Sequence, residues 1–272
     1  LIADGHIHSP FCPHGTTDSF EKYIEKAIKL ELKEITFTEH APLPATFKDP
    51  TPTKDSAMSI HELEKYFETI TNLQEKYKSV IKINRGLEVD YIEGYEEEVT
   101  SFLSKYGSFI EDSILSVHFL KKGSNYYCLD YSPKGFSEMV RIFGNTESIY
   151  SSYYDTLLKS INANLGPHKP RRIGHITLVH KFQKKFPVQK SFEQEIMTVI
   201  DGLASHGLQL DYNGAGTSKP LCQEPYPPHW VVKEAIKANI KIVYGSDAHQ
   251  AKDMGQGLRR LLESTPFASP TI

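Results

Sequence analysis

The stretch DGHIHSPFCPHG, residues 4–15, places His6, His8 and His14 within nine positions. Imidazole is a good ligand for zinc, iron and manganese. Groups of the same chemistry recur down the chain: Glu39 with His40, Glu88 with Asp90, His118, His175, and Asp247 with His249. Such a mixture of nitrogen and carboxylate donors suits divalent cations, and closely spaced cations can clamp a phosphate. Pro10 and Pro13 restrict the opening loop, so His14 can be held near His6 and His8 at small entropic cost. Cys12 is a soft donor among hard ones and reads as a packed thiol.

The elements that must position these residues alternate between short β-like runs and helical patterns. LIADG opens as a strand. Asp18 and Glu21 have the spacing of a capping box before a helix that turns Phe20, Ile24, Ala27 and Ile28 to one face. KEITFTEH is the second strand. Ser59 and Glu62 start a helix burying Ile60, Leu63, Phe67, Ile70 and Leu73. VIKINRGLEVD and SILSVHFL are the third and fourth strands. A long insertion reaching about residue 170 follows, helical near 135–143 and 146–164 and rich in tyrosine. RRIGHITLV, LQLDYNG and KIVYGSDAH supply strands five to seven. Pro228 falls in the first turn of the helix before the seventh, and a last helix runs through GQGLRRLLE.

Regular βα alternation predicts an α/β fold with a parallel sheet covered by helices. Seven strands without a glycine-rich dinucleotide turn favour a closed or nearly closed barrel over an open doubly wound sheet. The metal-capable residues then fall at strand ends. His6 and His8 end the first strand, Glu39 and His40 the second, Glu88 and Asp90 the third, and His118 the fourth. His175 is late in the fifth, and Asp247 and His249 follow the seventh. The C-terminal strand ends of a (β/α) barrel converge on one mouth. His6 and His8 are two apart, so they share a face.

Composition narrows the partners. The formal net charge is −3 and the basic residues are dispersed, which disfavours nucleic acid. No apolar run spans a bilayer, and the beginning of the chain lacks the pattern of a signal peptide. Cys12, Cys128 and Cys222 are far apart and odd in number, the pattern of reduced thiols in the cytoplasm. The sequence carries no aspartyl-phosphate motif, no C-x5-R loop, no R-H-G triplet and no phosphate-binding-loop spacing. Assembly is not legible.

DGHIHSPFCPHG, TFTEH, GLEVD, SVH, GH and GSDAH, in this order, resemble the PHP family of metal-dependent phosphoesterases, and within it the histidinol-phosphate phosphatase branch. EPYP after the sixth strand fits that branch. The resemblance implies a distorted (β/α)7 TIM-like barrel, one domain over residues 1–272 with a helical insertion at about 121–170. It also implies three divalent cations, zinc, iron or manganese. One would be held by His6, His8, Glu88 and Asp247, a second by Glu88, His118 and His175, and a third by His14, His40 and His249. Glu88, Asp247 and His249 are the ligands expected to bear on catalysis, and Glu39 and Asp90 can orient ligand imidazoles.

The implied reaction is hydrolysis of a small phosphate monoester, with no protein nucleophile. Phosphate also calls for a protein cation. Lys181 and Lys219 follow strands on the mouth side, and Arg141 could reach in from the insertion. Arg171 and Arg172 should lie at the far end, and parity turns Arg85 away. His61, His168, His180, His206 and His229 read as surface or structural, and the insertion reads as either a lid or a cover for helices. A PHP nuclease and a non-catalytic metal-binding module remain as alternatives.

Overall fold

The computed structural model describes residues 3–271; Leu1 and Ile2 of the expected first strand lie outside them. The chain runs β1 (Ala3–Ile7), α1 (Phe20–Lys29), β2 (Glu34–His40), α2 (Leu63–Tyr77), β3 (Lys82–Asp90), α3 (Glu96–Tyr106) and β4 (Asp112–Ser116). It continues through β5 (Phe119–Lys122), β6 (Asn125–Cys128), α4 (Pro133–Phe143), α5 (Thr146–Asn162) and β7 (Arg172–Ile173). It ends with α6 (Glu193–Ser205), β8 (Gln209–Asn213), α7 (His229–Lys237) and β9 (Ile242–Gly245).

Seven parallel strands form one sheet in the order β1-β2-β3-β4-β7-β8-β9. The sheet curls until its edges meet. Ile7 bridges Ala248, the His8 N–H donates to Ala248 O at 3.0 Å, and the Asp247 N–H donates to His6 O at 2.7 Å. The fold is therefore a nearly closed barrel, and the open-sheet alternative is excluded. All seven residues of β2 are buried, as expected of a parallel strand covered on both faces. Helices α1 and α2 bury Phe20, Ile24, Ala27, Leu63, Phe67, Ile70 and Leu73, but Ile28 and Ile60 are exposed at the rims of those faces. Among the described residues, no helix is long and apolar enough to cross a membrane.

Several expected boundaries moved. Ser19 is the N-cap of α1, while Asp18 instead accepts from Lys22 Nζ and from the Ala251 N–H. Ser59 caps a short 3-10 turn at Ile60–Glu62, and α2 follows from Leu63. The fourth strand stops at Ser116, and the chain then forms the two-stranded hairpin β5–β6. The fifth strand keeps only Arg172 and Ile173 in register, because His175 turns with φ +21 and Leu178 begins a 3-10 turn. Pro228 is the N-cap of α7, one position before the helix. GQGLRRLLE is no helix beyond a 3-10 turn at Leu258–Arg260, since Gly255 and Gly257 both take φ +79.

Arg172 departs furthest from expectation. Arg171 lines a hollow of about 620 Å³ at the N-terminal end of the strands, with Lys82, Asp112 and Lys241. Arg172 points the other way, into the barrel, and is fully buried. Its Nη2 donates to Asp112 Oδ2 on β4 at 2.7 Å and to Gly5 O on β1 at 2.7 Å. Strand β7 does not neighbour β1, so this side chain crosses the interior beneath the mouth. Alternation explains it: consecutive residues of a strand face opposite sides, and Arg172 faces inward.

Candidate metal centre

The nine expected ligands come from six of the seven strand ends, or from the loops just beyond them, and meet at one mouth. Glu88, the seventh residue of β3, stands at the middle with 1% of its surface exposed. Its Oε1 lies 3.0 Å from His175 Nε2 and 3.8 Å from His118 Nε2. Its Oε2 lies 3.2 Å from His40 Nδ1, 3.4 Å from His6 Nε2 and 3.5 Å from His8 Nε2. Asp247 Oδ1 is 3.2 Å from His8 Nε2 and 3.7 Å from His6 Nε2. Donors bound to one tetrahedral cation stand roughly 3.3–3.6 Å apart, so these separations are those of shared ligation.

Among the described residues, three sets of donor atoms cluster: His6, His8 and Asp247; Glu88, His118 and His175; and His8, Cys12, His40 and His249. The second is the expected set, and the first holds three of its four expected members, with Glu88 outside the cluster. The third differs, because Cys12 and His8 join His40 and His249 where His14 was expected. His14 stands beside them, its Nε2 3.2 Å from His249 Nε2.

Tautomers test whether these residues fit cations. His14 Nδ1 donates to Asp55 O at 2.7 Å and His249 Nδ1 to Asp247 O at 3.1 Å. A carbonyl only accepts, so in the neutral rings both Nε2 atoms carry bare lone pairs, and they face each other. Only a cation or a proton makes that arrangement favourable. In the same way Asp211, Glu39 and Asp90 take Nδ1 of His6, His8 and His118 at 3.0, 3.2 and 2.8 Å, turning each Nε2 to the centre. His6 Nε2, His8 Nε2 and both nitrogens of His40 are buried with no hydrogen-bond partner among the described residues. The residues fit divalent cations.

The electrostatics agree. Burial is the largest influence on the imidazoles of His6, His8, His40, His118 and His249 and acts to lower their pKa. The facing carboxylates reverse this for His8, raised to about 9, and for His118, raised to about 10. His6 is likewise raised by Asp211, Glu88 and Asp247 against burial. Burial and neighbouring imidazoles push His40 and His249 well down, so their lone pairs are free. Burial opposes charge on Glu88 and Asp247, yet the surrounding histidines hold both well below the usual carboxylate range. Burial and Glu39 push the Cys12 thiol up.

Local geometry is spent on this arrangement. Asp247 takes φ +53, a left-handed backbone that costs a non-glycine residue about 1–3 kcal/mol. Gly245 is required, since a Cβ there would sit 2.4 Å from Asp211 Oδ1 and 2.7 Å from His6 Cβ. Asp211 was not anticipated, although it falls within the sixth strand, the one strand assigned no metal ligand. Asp211→Asn keeps the shape and weakens the acceptor for His6 Nδ1. We expect metal affinity to fall about 10–100-fold, measured by competition with a chromogenic chelator.

A cavity of about 410 Å³ opens above the ligands. Lys181 and Lys219 line it, on the mouth side where their strands end. Arg141 does not: it is exposed in the last turn of α4 and absent from the lining. Arg85 points outward onto Thr71 and Phe109. His180 is structural, held by Glu224 at 2.6 Å and Tyr154 at 3.1 Å. Of the tyrosines in the insertion, Tyr150, Tyr153 and Tyr154 are buried cover, while Tyr131 lines the cavity. Asp130, also unanticipated, lines it beside Lys181. Among the described residues, the larger hollow at the opposite end gathers no such ligand cluster.

A barrel with clustered histidines and carboxylates at its C-terminal mouth defines a metal-dependent hydrolase type of site, and residues 4–215 match the PHP domain family. The chain belongs to that family. It is 47% identical to the histidinol-phosphatase of Bacillus subtilis over 96% of this chain and 98% of that protein. A candidate histidinol phosphatase of known structure from Listeria monocytogenes superposes with a TM-score of 0.91 at 37% identity, covering 96% of this chain and all of the other. The histidinol phosphate phosphatase of Lactococcus lactis, solved with zinc, L-histidinol and phosphate, shares the fold. Its TM-score is 0.73 at 22% identity, over 98% of this chain and 94% of that one.

Proposed function

We propose that this chain is a histidinol-phosphatase, hydrolysing L-histidinol phosphate to L-histidinol and inorganic phosphate. The observation that carries the reading is Glu88, ringed by five imidazoles from four separate strand ends. Full-length likeness to the Bacillus enzyme supports the substrate. Three cations are proposed, held by the nine residues, with Glu88 shared between two of them. Bound dications supply charge neutralisation at phosphorus and ionise water at neutral pH.

The chain's own residues do the rest. Asp211, Glu39 and Asp90 fix three imidazole tautomers. Glu88 and Asp247 provide the negative charge that lets cations sit close together. Lys181 and Lys219 face the cavity where a phosphate would lie. The hairpin β5–β6 and the segment after it supply Phe119, Cys128, Asp130 and Tyr131 to the wall, as part of an insertion in one domain. Three unpaired cysteines favour the cytoplasm. The mouth is a cavity rather than a basic groove, which favours a small ester over nucleic acid.

The test is phosphate release from L-histidinol phosphate, other phosphomonoesters and oligonucleotides by protein loaded with zinc or manganese. Histidinol phosphate should be turned over fastest. Chelation should abolish release, and added metal should restore it. Preferential cleavage of oligonucleotides, or no turnover of any ester by metal-replete protein, contradicts the assignment.

A further inference from the structure

The cavity wall holds one ion pair that the metal ligands do not need. Lys181 Nζ donates to Asp130 Oδ2 at 2.8 Å, and both side chains are about one-fifth exposed, at 22% and 21%. They arrive from different elements. Asp130 follows β6, where the Leu129 N–H donates to His118 O at 2.8 Å. Lys181 lies in the 3-10 turn after β7. Both face the space above Glu88, His118 and His175. Among the described residues, the other oxygen of Asp130, Oδ1, has only a weak thiol donor, Cys128 Sγ at 3.5 Å.

A phosphate site needs a cation, but a lysine already neutralised by a carboxylate is a poor one. The pair makes better sense against a ligand that is itself a pair of opposite charges. Histidinol phosphate carries its ammonium and its phosphate ester on neighbouring carbons. Laid antiparallel, the ligand's anion meets Lys181 and its ammonium meets Asp130, so neither protein charge is left alone in a half-buried site. A phosphate ester without the ammonium would draw Lys181 away and strand Asp130. Leaving a polar partner unpaired is how sites reject close analogues.

We propose that the Asp130–Lys181 pair reads 2-aminoalkyl phosphates, with Asp130 as the receptor for the ammonium. The proposal rests on the phosphatase reading above and goes beyond it by assigning what selects the alcohol. Of the other non-ligand carboxylates lining the cavity, Asp90 is engaged by His118 at 2.8 Å and Asp253 by Gln250 at 2.6 Å. Asp55 is tied through its carbonyl to His14 and through its carboxylate to Thr53.

The experiment compares L-histidinol phosphate with its deaminated analogue, 3-(imidazol-4-yl)propyl phosphate, on zinc-loaded wild type, Asp130→Asn and Lys181→Gln. Wild type should favour the amine by about 10- to 100-fold in kcat/KM, the discrimination of one charge-assisted hydrogen bond. Asp130→Asn should bring that ratio to within about 3-fold of unity, mainly through a raised KM for the amine. Lys181→Gln should lower kcat/KM for both esters and weaken inhibition by inorganic phosphate. Zinc content, measured alongside, should match wild type in both variants. An unchanged ratio in Asp130→Asn, whether both rates fall together or neither falls, overturns the inference while leaving the phosphatase reading intact. A wild type inactive on both esters overturns the phosphatase reading itself.

Discussion

Glu88→Gln loses phosphate release by about 10³-fold or more and binds at least one fewer cation per chain. The magnitude follows from position. This carboxylate lies within 3.8 Å of five imidazoles, at 1% exposure, and its own charge is what the mouth holds in place. Glutamine matches its shape and keeps an acceptor, but it removes the negative charge that allows dications to approach each other. Losing a single preorganised electrostatic partner of the transition state already costs about 10²–10³ in rate, and Glu88 is proposed to serve two cations. Ser116 Oγ donates to Oε1 at 2.5 Å and can still do so in the amide, so the barrel should stay folded. Elemental analysis of purified protein and a phosphate-release assay check the two halves. Full metal content with a wild-type rate would remove Glu88 from the centre.

The largest effect on stability lies beneath the mouth. Asp112→Ala strands the Arg172 guanidinium inside the barrel. Removing one partner of a buried pair costs about 3–5 kcal/mol, because an uncompensated charge remains. Burial raises the Asp112 pKa even though Arg172 works against it, so the pair does not fully repay its own desolvation. The linkage sign follows. A folded pKa above the unfolded value means stability that is present below the unfolded pKa and declines as pH rises through the folded one. The double variant Asp112→Ala/Arg172→Met should therefore recover much of the loss. Urea midpoints of wild type, both single variants and the double variant measure this directly. A loss for Asp112→Ala below about 1 kcal/mol would mean that Arg172 is not a buried cation.

Much of the candidate site was legible because its residues obey strand geometry. His6 and His8 share a face by period two, and Glu39, His40, Glu88 and Asp90 end runs of β-formers whose pairing is regular over β2 and β3. Lys181 and Lys219 followed from being on the mouth side. What escaped depends on partners distant in sequence. Asp211 is one more carboxylate within a strand until His6 is seen 3.0 Å away. Arg172 looked like a strand's first residue, but β7 is so short that its start already lies inside the barrel. Cys12 gathers with His8, His40 and His249 only through the path of a loop.

Two misses had visible signals. The turn Gly123–Ser124 between FLKK and NYYC is a two-residue hairpin connection, with Gly123 at φ +61, and it marks β5–β6 within the stretch read as helical insertion. Gly255 and Gly257 inside GQGLRRLLE carry the helix cost that ended it. Arg141 was expected to be able to reach in from the insertion, itself read as either a lid or a cover. Instead, α4 buries Phe136, Met139 and Phe143 and leaves Arg141 in solvent.

Crystals of the protein equilibrated with zinc and measured above and below the zinc absorption edge put the cation cage to its plainest trial. Anomalous peaks should stand between Glu88 and Asp247 and between Glu88 and His118, at about 2.0–2.2 Å from the donor atoms, with a third beside His249 Nε2. A mouth without peaks at saturating zinc, or zinc bound only elsewhere on the surface, would contradict the account.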